Sequence, residues 1–340
     1  MKKININGFE VGGEKTFIIA DIGSNHKQDL SLAKESIDAA AEAGANAIKF
    51  QSIQLDKLYL EPDIRTADFI RQLEFPEAWH RILKDYCDER NILFFSSPTY
   101  LDSVDLLEEV DVALYKLASA QIGTFPQIVD KVAALKKPVI FSTGIAGYDE
   151  TIQAVKTFHR HGNDNFIILH CNSIYPTPPE KVNLPMINAY QAMFGNPVGF
   201  SDHTNGIHIA CAAVSAGAKV IEKHFTLNRQ LDTPDCSTFA SDPAEFAALV
   251  NAIRDIESAN KFTGDRISIR EEESSFKESI TYKIITKSPI QAGETITEQH
   301  LDYLRTPAPG INCIEYKNVT GKKAKKNINI KTILTYDCIG

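Results

Sequence analysis

Eight short runs rich in β-branched and aromatic residues constrain this chain most. They are FIIADI (17–22), NAIKFQ (46–51), ILFFSS (92–97), ALYKLA (113–118), PVIFST (138–143), FIILHC (166–171), PVGFSD (197–202) and KVIEKH (219–224). Between them lie stretches such as LSLAKESIDAAAEAGA and GIHIACAAVSAGA, whose apolar residues recur at three- and four-residue spacing. The runs have the composition of buried strands, and the stretches between them have the period of helices with one apolar face. Eight alternating strand–helix units over about 250 residues predict a (β/α)8 TIM barrel in the α/β class. A doubly wound open sheet fits less well. No G-x-G-x-x-G follows the first strand, and polar residues stand at the ends of nearly all eight strands rather than near one switch point.

The texture changes after EFAALVNAIRDIESA. Residues 260–279, NKFTGDRISIREEESSFKES, are charged and poor in apolar residues, and read as a linker. They would join a barrel over 1–259 to a small domain over 280–340 with short strand-like runs, Gly/Pro turns and the basic cluster GKKAKK. A domain of about 60 residues is near the lower limit for independent stability, so it is expected to lean on the barrel or on a partner subunit.

The net charge of −8 argues against broad nucleic-acid binding, which needs a basic surface. No apolar run approaches the roughly 18 residues of a membrane span, and MKKININGFEVGGEK lacks the apolar core of a signal peptide. The six cysteines are scattered without a C-x-x-C pair. Reduced thiols in a cytoplasmic protein are therefore expected, with no membrane partner.

In a (β/α)8 enzyme, catalytic groups sit at the C-terminal ends of the strands and in the loops that follow. Collected that way, the chain offers Asp21 and Asn25, Lys49 and Gln51, Ser97, Lys116 and Ser119, Ser142 and Thr143, Ser173 and Tyr175, Ser201 and His203, and His224. Each has an ordinary reading alone: a lysine reaching for solvent, a serine capping a helix, a hydrogen-bonded structural histidine. Their joint occurrence at one mouth argues for a pocket. Two lysines and several hydroxyls suit a phosphate or another oxyanion.

His203 and His224 are 21 residues apart and fit no short metal motif. They end the seventh and eighth strands, however, and neighbouring strands lie about 4.8 Å apart. Two imidazoles so placed can share one divalent ion and leave positions open for water and substrate. Mn²⁺, Mg²⁺, Zn²⁺ and Co²⁺ all suit such a site, and spacing alone does not choose among them.

The runs FIIADIGSNH, AGANAIKFQ, YKLAS, FSTG, LHCNSIYPTPPEKVNL, VGFSDHTNGI and GAKVIEKHFTLNR appear in that order. In them the chain resembles the bacterial sialic-acid synthases, which condense phosphoenolpyruvate with an N-acylated mannosamine-type sugar. The C-terminal AGETIT and GKKAKKNI look like the antifreeze-like (SAF) domain that completes these enzymes. The resemblance implies a domain-swapped homodimer in which the SAF domain caps the partner's active site. It also implies a divalent cofactor, Mn²⁺ first and Mg²⁺ or Co²⁺ as alternatives, held by His203 and His224. Phosphoenolpyruvate would be bound by Lys49, Ser97, Lys116, Ser119, Ser142, Ser173 and Ser201. Asn25, Gln121, Tyr175, Asp235 and Arg305 would face the sugar. Asp21 and Asp235 would act with the two histidines in catalysis, Asp21 orienting water or taking a proton.

The chain departs from the family pattern at several points. Asp21 stands where the family usually has Glu, and Gln121 where it often has an acidic residue. The sugar loop GPDH becomes TPDC (233–236), and Thr306 takes the place of the SAF arginine, with Arg305 one position earlier. These changes cluster on the sugar side. They point to an altered acceptor, such as a 2,4-diacetamido-2,4,6-trideoxyhexose leading to legionaminic or pseudaminic acid, alongside N-acetylmannosamine itself. Two other activities compete. A Schiff-base aldolase would use Lys49 or Lys116 as nucleophile, and a catalytically silent paralogue would bind sugar or phosphate without turnover. An ice-binding role, suggested by the SAF resemblance, leaves the barrel unexplained.

Overall fold

The computed structural model describes residues 2–236, 239–261 and 268–340. The chain divides after Lys261 into two compact units. The first contains eight parallel strands: β3 (Phe17–Asp21), β4 (Ala47–Ser52), β5 (Leu93–Pro98), β6 (Tyr115–Leu117), β7 (Val139–Ser142), β8 (Phe166–Cys171), β9 (Val198–Asp202) and β10 (Val220–His224). Their order is β5-β4-β3-β10-β9-β8-β7-β6, so the last strand pairs with the first, Val220 opposite Phe17 and His224 opposite Asp21. An open doubly wound sheet has no such pairing between its first and last strands. Ser97 Oγ on β5 donates to the carbonyl of Lys116 on β6 at 3.3 Å, across the remaining gap. The result is a nearly closed eight-stranded barrel.

Helices wrap the strands because each keeps one apolar stripe. Helix Pro243–Ala259 starts where the Asp242 side chain accepts from Glu245 N at 2.9 Å, with proline in its first turn. Its Phe246, Leu249, Val250 and Ile253 follow helical spacing and are buried, each worth roughly 1.5–3 kcal/mol. Gly199 in β9 is needed for close approach, because a Cβ there would strike Val220 O and the Leu169 side chain.

An N-terminal hairpin, β1 (Ile4–Ile6) and β2 (Phe9–Val11), is absent from the eight-run reading. It turns at Asn7-Gly8, both at positive φ, the residue pair that two-residue hairpins favour. Ile4, Ile6 and Val11 join Phe17, Leu114 and Ile140 in one cluster that fills the lower barrel. Among the described residues no helix is long and apolar enough to cross a membrane.

The second unit holds β11 (Tyr282–Thr286) and β12 (Leu301–Arg305), paired antiparallel, and its own core of Ile284, Ile290, Ile296, Ile311 and Leu334. The segment read as a linker, 260–279, is not all irregular. Residues 262–267 lie outside the described residues, but Glu271–Ile280 is a helix. Glu271, Glu272 and Glu273 fill its first turn, where the helix dipole favours acids. Charge and low apolarity therefore marked an exposed helix as well as a loop.

Candidate active site

Side chains alternate along a strand, so every second residue of each strand enters the barrel. The lower inward positions are apolar: Ile19, Phe95, Leu114, Ile140, Ile167, Leu169 and Val220. Above them the same alternation delivers Asp21, Lys49, Gln51, Ser97, Lys116, Ser142, Cys171, Ser201, Glu222 and His224. With Ala118, Ser119, Tyr175, His203 and Asp235 these line one cavity of about 170 Å³. A larger opening of about 490 Å³ lies beside the N-terminal hairpin, but its Lys84 and Lys137 are paired with Asp88 and Asp111 at its own surface. It gathers none of the strand-end groups.

The cavity floor is an alternating charge network. Lys49 Nζ lies 2.8 Å from Asp21 Oδ2 and 3.1 Å from Glu222 Oε2. Lys116 Nζ donates to Ser142 Oγ at 2.7 Å and stands 3.7 Å from Glu222 Oε1, which also accepts from Ser201 Oγ at 2.9 Å. Burial opposes the charge on Lys49, but Asp21 and Glu222 hold its ammonium above the ordinary range. Burial pushes Lys116 down; Glu222 resists this and the like charge of Lys49 adds to it. Burial likewise works against the Glu222 carboxylate, yet Lys116 and Lys49 keep it below the usual glutamate value.

The two imidazoles meet at the mouth, ring centres 5.3 Å apart. His203 Nδ1 is 2.8 Å from the Asn172 carbonyl. A carbonyl only accepts, so Nδ1 carries the proton and Nε2 keeps a free lone pair. Burial, and then the nearby His224, hold the His203 pKa down to about 3, leaving the ring neutral as a ligand must be. His224 Nδ1 is buried without a hydrogen-bond partner among the described residues, 3.6 Å from Asp235 Oδ1. Its Nε2 is 3.5 Å from Asp21 Oδ2. Tyr175 packs on His203 at 4.3 Å and Phe239 on His224 at 5.0 Å, an aromatic wall beside both rings. A pair of imidazoles, one with an orphaned ring nitrogen and with two carboxylates nearby, fits a divalent ion. No set of three or more His, Cys, Asp or Glu side chains gathers as a metal cage among the described residues. The nitrogen donors brought together here are the two imidazoles alone.

Residues 36–264 match the family model described as the NeuB family. The chain belongs to the NeuB family. Among its relatives, the N,N'-diacetyllegionaminic acid synthase of Campylobacter jejuni is 37% identical over 92% of this chain and 97% of its own length. A pseudaminic acid synthase of the same species is 36% identical over 93% and 94%. Among solved structures, the N-acetylneuraminic acid synthetase of Leptospira borgpetersenii, crystallised with citrate, superposes with a TM-score of 0.74 at 33% identity, covering 82% of this chain and 95% of that one.

In this NeuB chain several residues chosen from sequence stand behind the cavity rather than on it. Asn25 is buried. Its Nδ2 donates to the carbonyls of Phe225 at 2.9 Å and Asp235 at 3.3 Å, and its Oδ1 accepts from Thr233 Oγ1 at 2.5 Å. It fastens the 233–236 loop to the end of β3, with both amide protons committed there. The same turn fixes Asp235, whose Oδ2 accepts from both N and Oγ of Ser24 at 2.7 Å. Gly23, at positive φ, lies so close to Asp235 that a Cβ would collide with the carboxylate.

Ser173 Oγ lies 3.2 Å from Ser119 Oγ, just outside the lining. Gln121 is buried in helix Ser119–Thr124, and its Oε1 has no partner among the described residues. Arg305 ends β12 in the second unit, its guanidinium 4.9 Å over the Tyr282 ring. The strand-end reading passes over Glu222, the hub of the charge network. Its signal was the two-residue step to His224, which puts both on the inward face.

Proposed function

We propose that this chain condenses phosphoenolpyruvate with the open-chain aldehyde of an N-acylated mannosamine-type hexose, giving a nine-carbon 2-keto acid and phosphate. One observation carries the reading: two buried ammonium groups and four lining serines share a cavity with an imidazole pair. Lys49, Lys116, Ser97, Ser119, Ser142 and Ser201, with Ser173 beside them, hold the phosphate and carboxylate of phosphoenolpyruvate. Tyr175 and Asp235 orient the sugar at the mouth. A divalent ion at His203 and His224, Mn²⁺ or alternatively Mg²⁺ or Co²⁺, supplies Lewis-acid polarisation of the aldehyde when bound. C3 of phosphoenolpyruvate forms the new carbon–carbon bond, water adds at C2, and phosphate leaves with the bridging oxygen. Asp21, inside the cavity and ion-paired to Lys49, is placed to take the proton of that water.

The names of the Campylobacter relatives support a di-N-acylated trideoxyhexose as acceptor, and N-acetylmannosamine stays beside it. A neutral Gln121, two residues after the lining Ser119, agrees with a sugar that offers fewer hydroxyls. The second unit is read as an SAF domain that caps the partner subunit's barrel in a homodimer, with Arg305 as its sugar-facing cation. The apolar side chains of Leu60, Ile64, Ile145 and Tyr148, exposed in the loops after β4 and β7 and at the first residues of the helices that follow, support a covered mouth.

The depressed pKa of Lys116 favours one competing reading, a Schiff-base aldolase. Phosphate release with a panel of N-acylated hexosamines separates the two. The expected release requires both phosphoenolpyruvate and sugar, stops in EDTA, returns with Mn²⁺ and leaves no borohydride adduct. EDTA-resistant turnover with an adduct on Lys116 would assign the aldolase. Binding of phosphoenolpyruvate and Mn²⁺ without turnover of any sugar would assign a silent paralogue.

A further inference from the structure

Directly behind the imidazole pair, on the outer face of the same two strands, lies an ion pair that the chemistry above does not use. Lys223 and Asp202 are opposite each other in the β9–β10 register, one step beyond the Glu222–Ser201 pair. Lys223 Nζ is 2.9 Å from Asp202 Oδ2, and both side chains are 0% exposed. Each also grips the residue that follows His203: Lys223 Nζ donates to Thr204 O at 2.6 Å, and Thr204 N donates to Asp202 Oδ1 at 2.8 Å. The backbone is thus pinned at 202 and 204, on both sides of His203, and at 223, immediately before His224.

A pair this deep is poor value as a stabiliser. Desolvating two charges costs several kcal/mol per ion, and apolar replacements of similar volume are often neutral or better. Its geometry does supply something apolar packing lacks, a directional tie between neighbouring strand ends at the height where both histidines leave them. Because alternate residues face opposite ways, the tie acts from behind and keeps clear of the cavity.

We propose that the Asp202–Lys223 ion pair is a positioning strut that sets the separation and angle at which His203 and His224 present their rings to a divalent cation. This inference rests on the metal reading given above. Both residues are positioning groups that touch neither ion nor substrate, comparable to the hydrogen-bonded partners behind metal ligands, whose loss weakens metal affinity by about 10–100-fold.

The test is metal titration of the apo full-length protein, followed by Mn²⁺ electron paramagnetic resonance and by the visible absorption of bound Co²⁺, with a thermal melt of every variant. The double variant Asp202→Asn/Lys223→Met removes both charges while keeping an acceptor for Thr204 N. It is expected to melt near the parent temperature, bind Mn²⁺ about 10-fold or more weakly, and give a shifted Co²⁺ spectrum. Lys223→Arg, which keeps the pair, is expected to retain most of the affinity. Parent-like Mn²⁺ affinity and Co²⁺ spectrum in the double variant would overturn the strut. Should the double variant fail to fold, Asp202→Glu decides, since it keeps the charge but lengthens the tie. A weakened affinity with an altered Co²⁺ band supports the strut, and unchanged values reject it. His203→Ala in the same titration separates the two claims. If it binds Mn²⁺ as the parent does, the metal seat itself is wrong. If it loses Mn²⁺ while the double variant does not, only the strut falls.

Discussion

Alanine at His203 or His224 is expected to weaken Mn²⁺ binding by at least about 100-fold and to lower kcat by on the order of 10³-fold. The fold should survive, because both rings sit at strand ends above an apolar core they do not belong to. The His203 ring is neutral and its Nδ1 proton is committed to Asn172, so truncation removes a free nitrogen donor and little else. Losing one of two nitrogen ligands leaves a cation with a single imidazole and neighbouring carboxylates, too few fixed donors to hold it at micromolar levels. Titration of apo protein and steady-state rates at saturating substrates check both halves. Near-parent turnover in either variant would remove that histidine from the ligand set.

Glu222→Leu is expected to destabilise the barrel by about 3–5 kcal/mol, read as a lower urea midpoint. The carboxylate is the shared partner of two fully buried ammoniums, Lys49 at 3.1 Å and Lys116 at 3.7 Å. Lys49 retains Asp21 when Glu222 is removed, whereas Lys116 keeps only hydroxyl and carbonyl partners. Glu222→Gln preserves an acceptor for Ser201 and should lose less.

The pH dependence follows from the sign of the shift. Lys116 and Lys49 outweigh burial, so the folded Glu222 has a pKa below its ordinary 4.5. Its contribution is present above pH 4.5 and is lost as pH falls toward the folded value, because the unfolded chain takes up the proton first. Glu222→Gln is expected to flatten that part of the stability profile. An equal acid slope in parent and variant would show that the carboxylate is not held by the lysines.

The barrel was legible because its strands are buried on both faces, which leaves eight near-continuous apolar runs with helical periods between them. Polar residues at the ends of nearly all the runs marked the mouth, so the lysines, serines and histidines could be placed from sequence alone. Other features depended on contacts that a one-dimensional pattern does not carry. Asn25 has the residue type of a sugar ligand, yet residues 200 to 210 positions away take both its amide protons and one acceptor position of its oxygen. Glu222 sits inside a strand rather than at its end, and only the two-residue alternation from His224 brings it into the cavity. Asp202 and Lys223 flank the two histidines in sequence, but their pairing needs the β9–β10 register. The eight-run reading passed over the Asn7-Gly8 pair, and the hairpin's role as the lower plug requires the closed barrel. Helix Glu271–Ile280 shows no buried residue, so it lacks the apolar stripe by which the barrel helices announce themselves.

The account stands most directly on one measurement. Phosphoenolpyruvate labelled with ¹⁸O at the bridging position is incubated with Mn²⁺-loaded protein and a panel containing N-acetylmannosamine and 2,4-diacetamido-2,4,6-trideoxyhexoses. Both products are then weighed by mass spectrometry. The account predicts a nine-carbon 2-keto acid from at least one sugar, with the label in the released phosphate. Label retained in the keto acid, or no such product from any sugar while phosphoenolpyruvate and Mn²⁺ are bound, would contradict it.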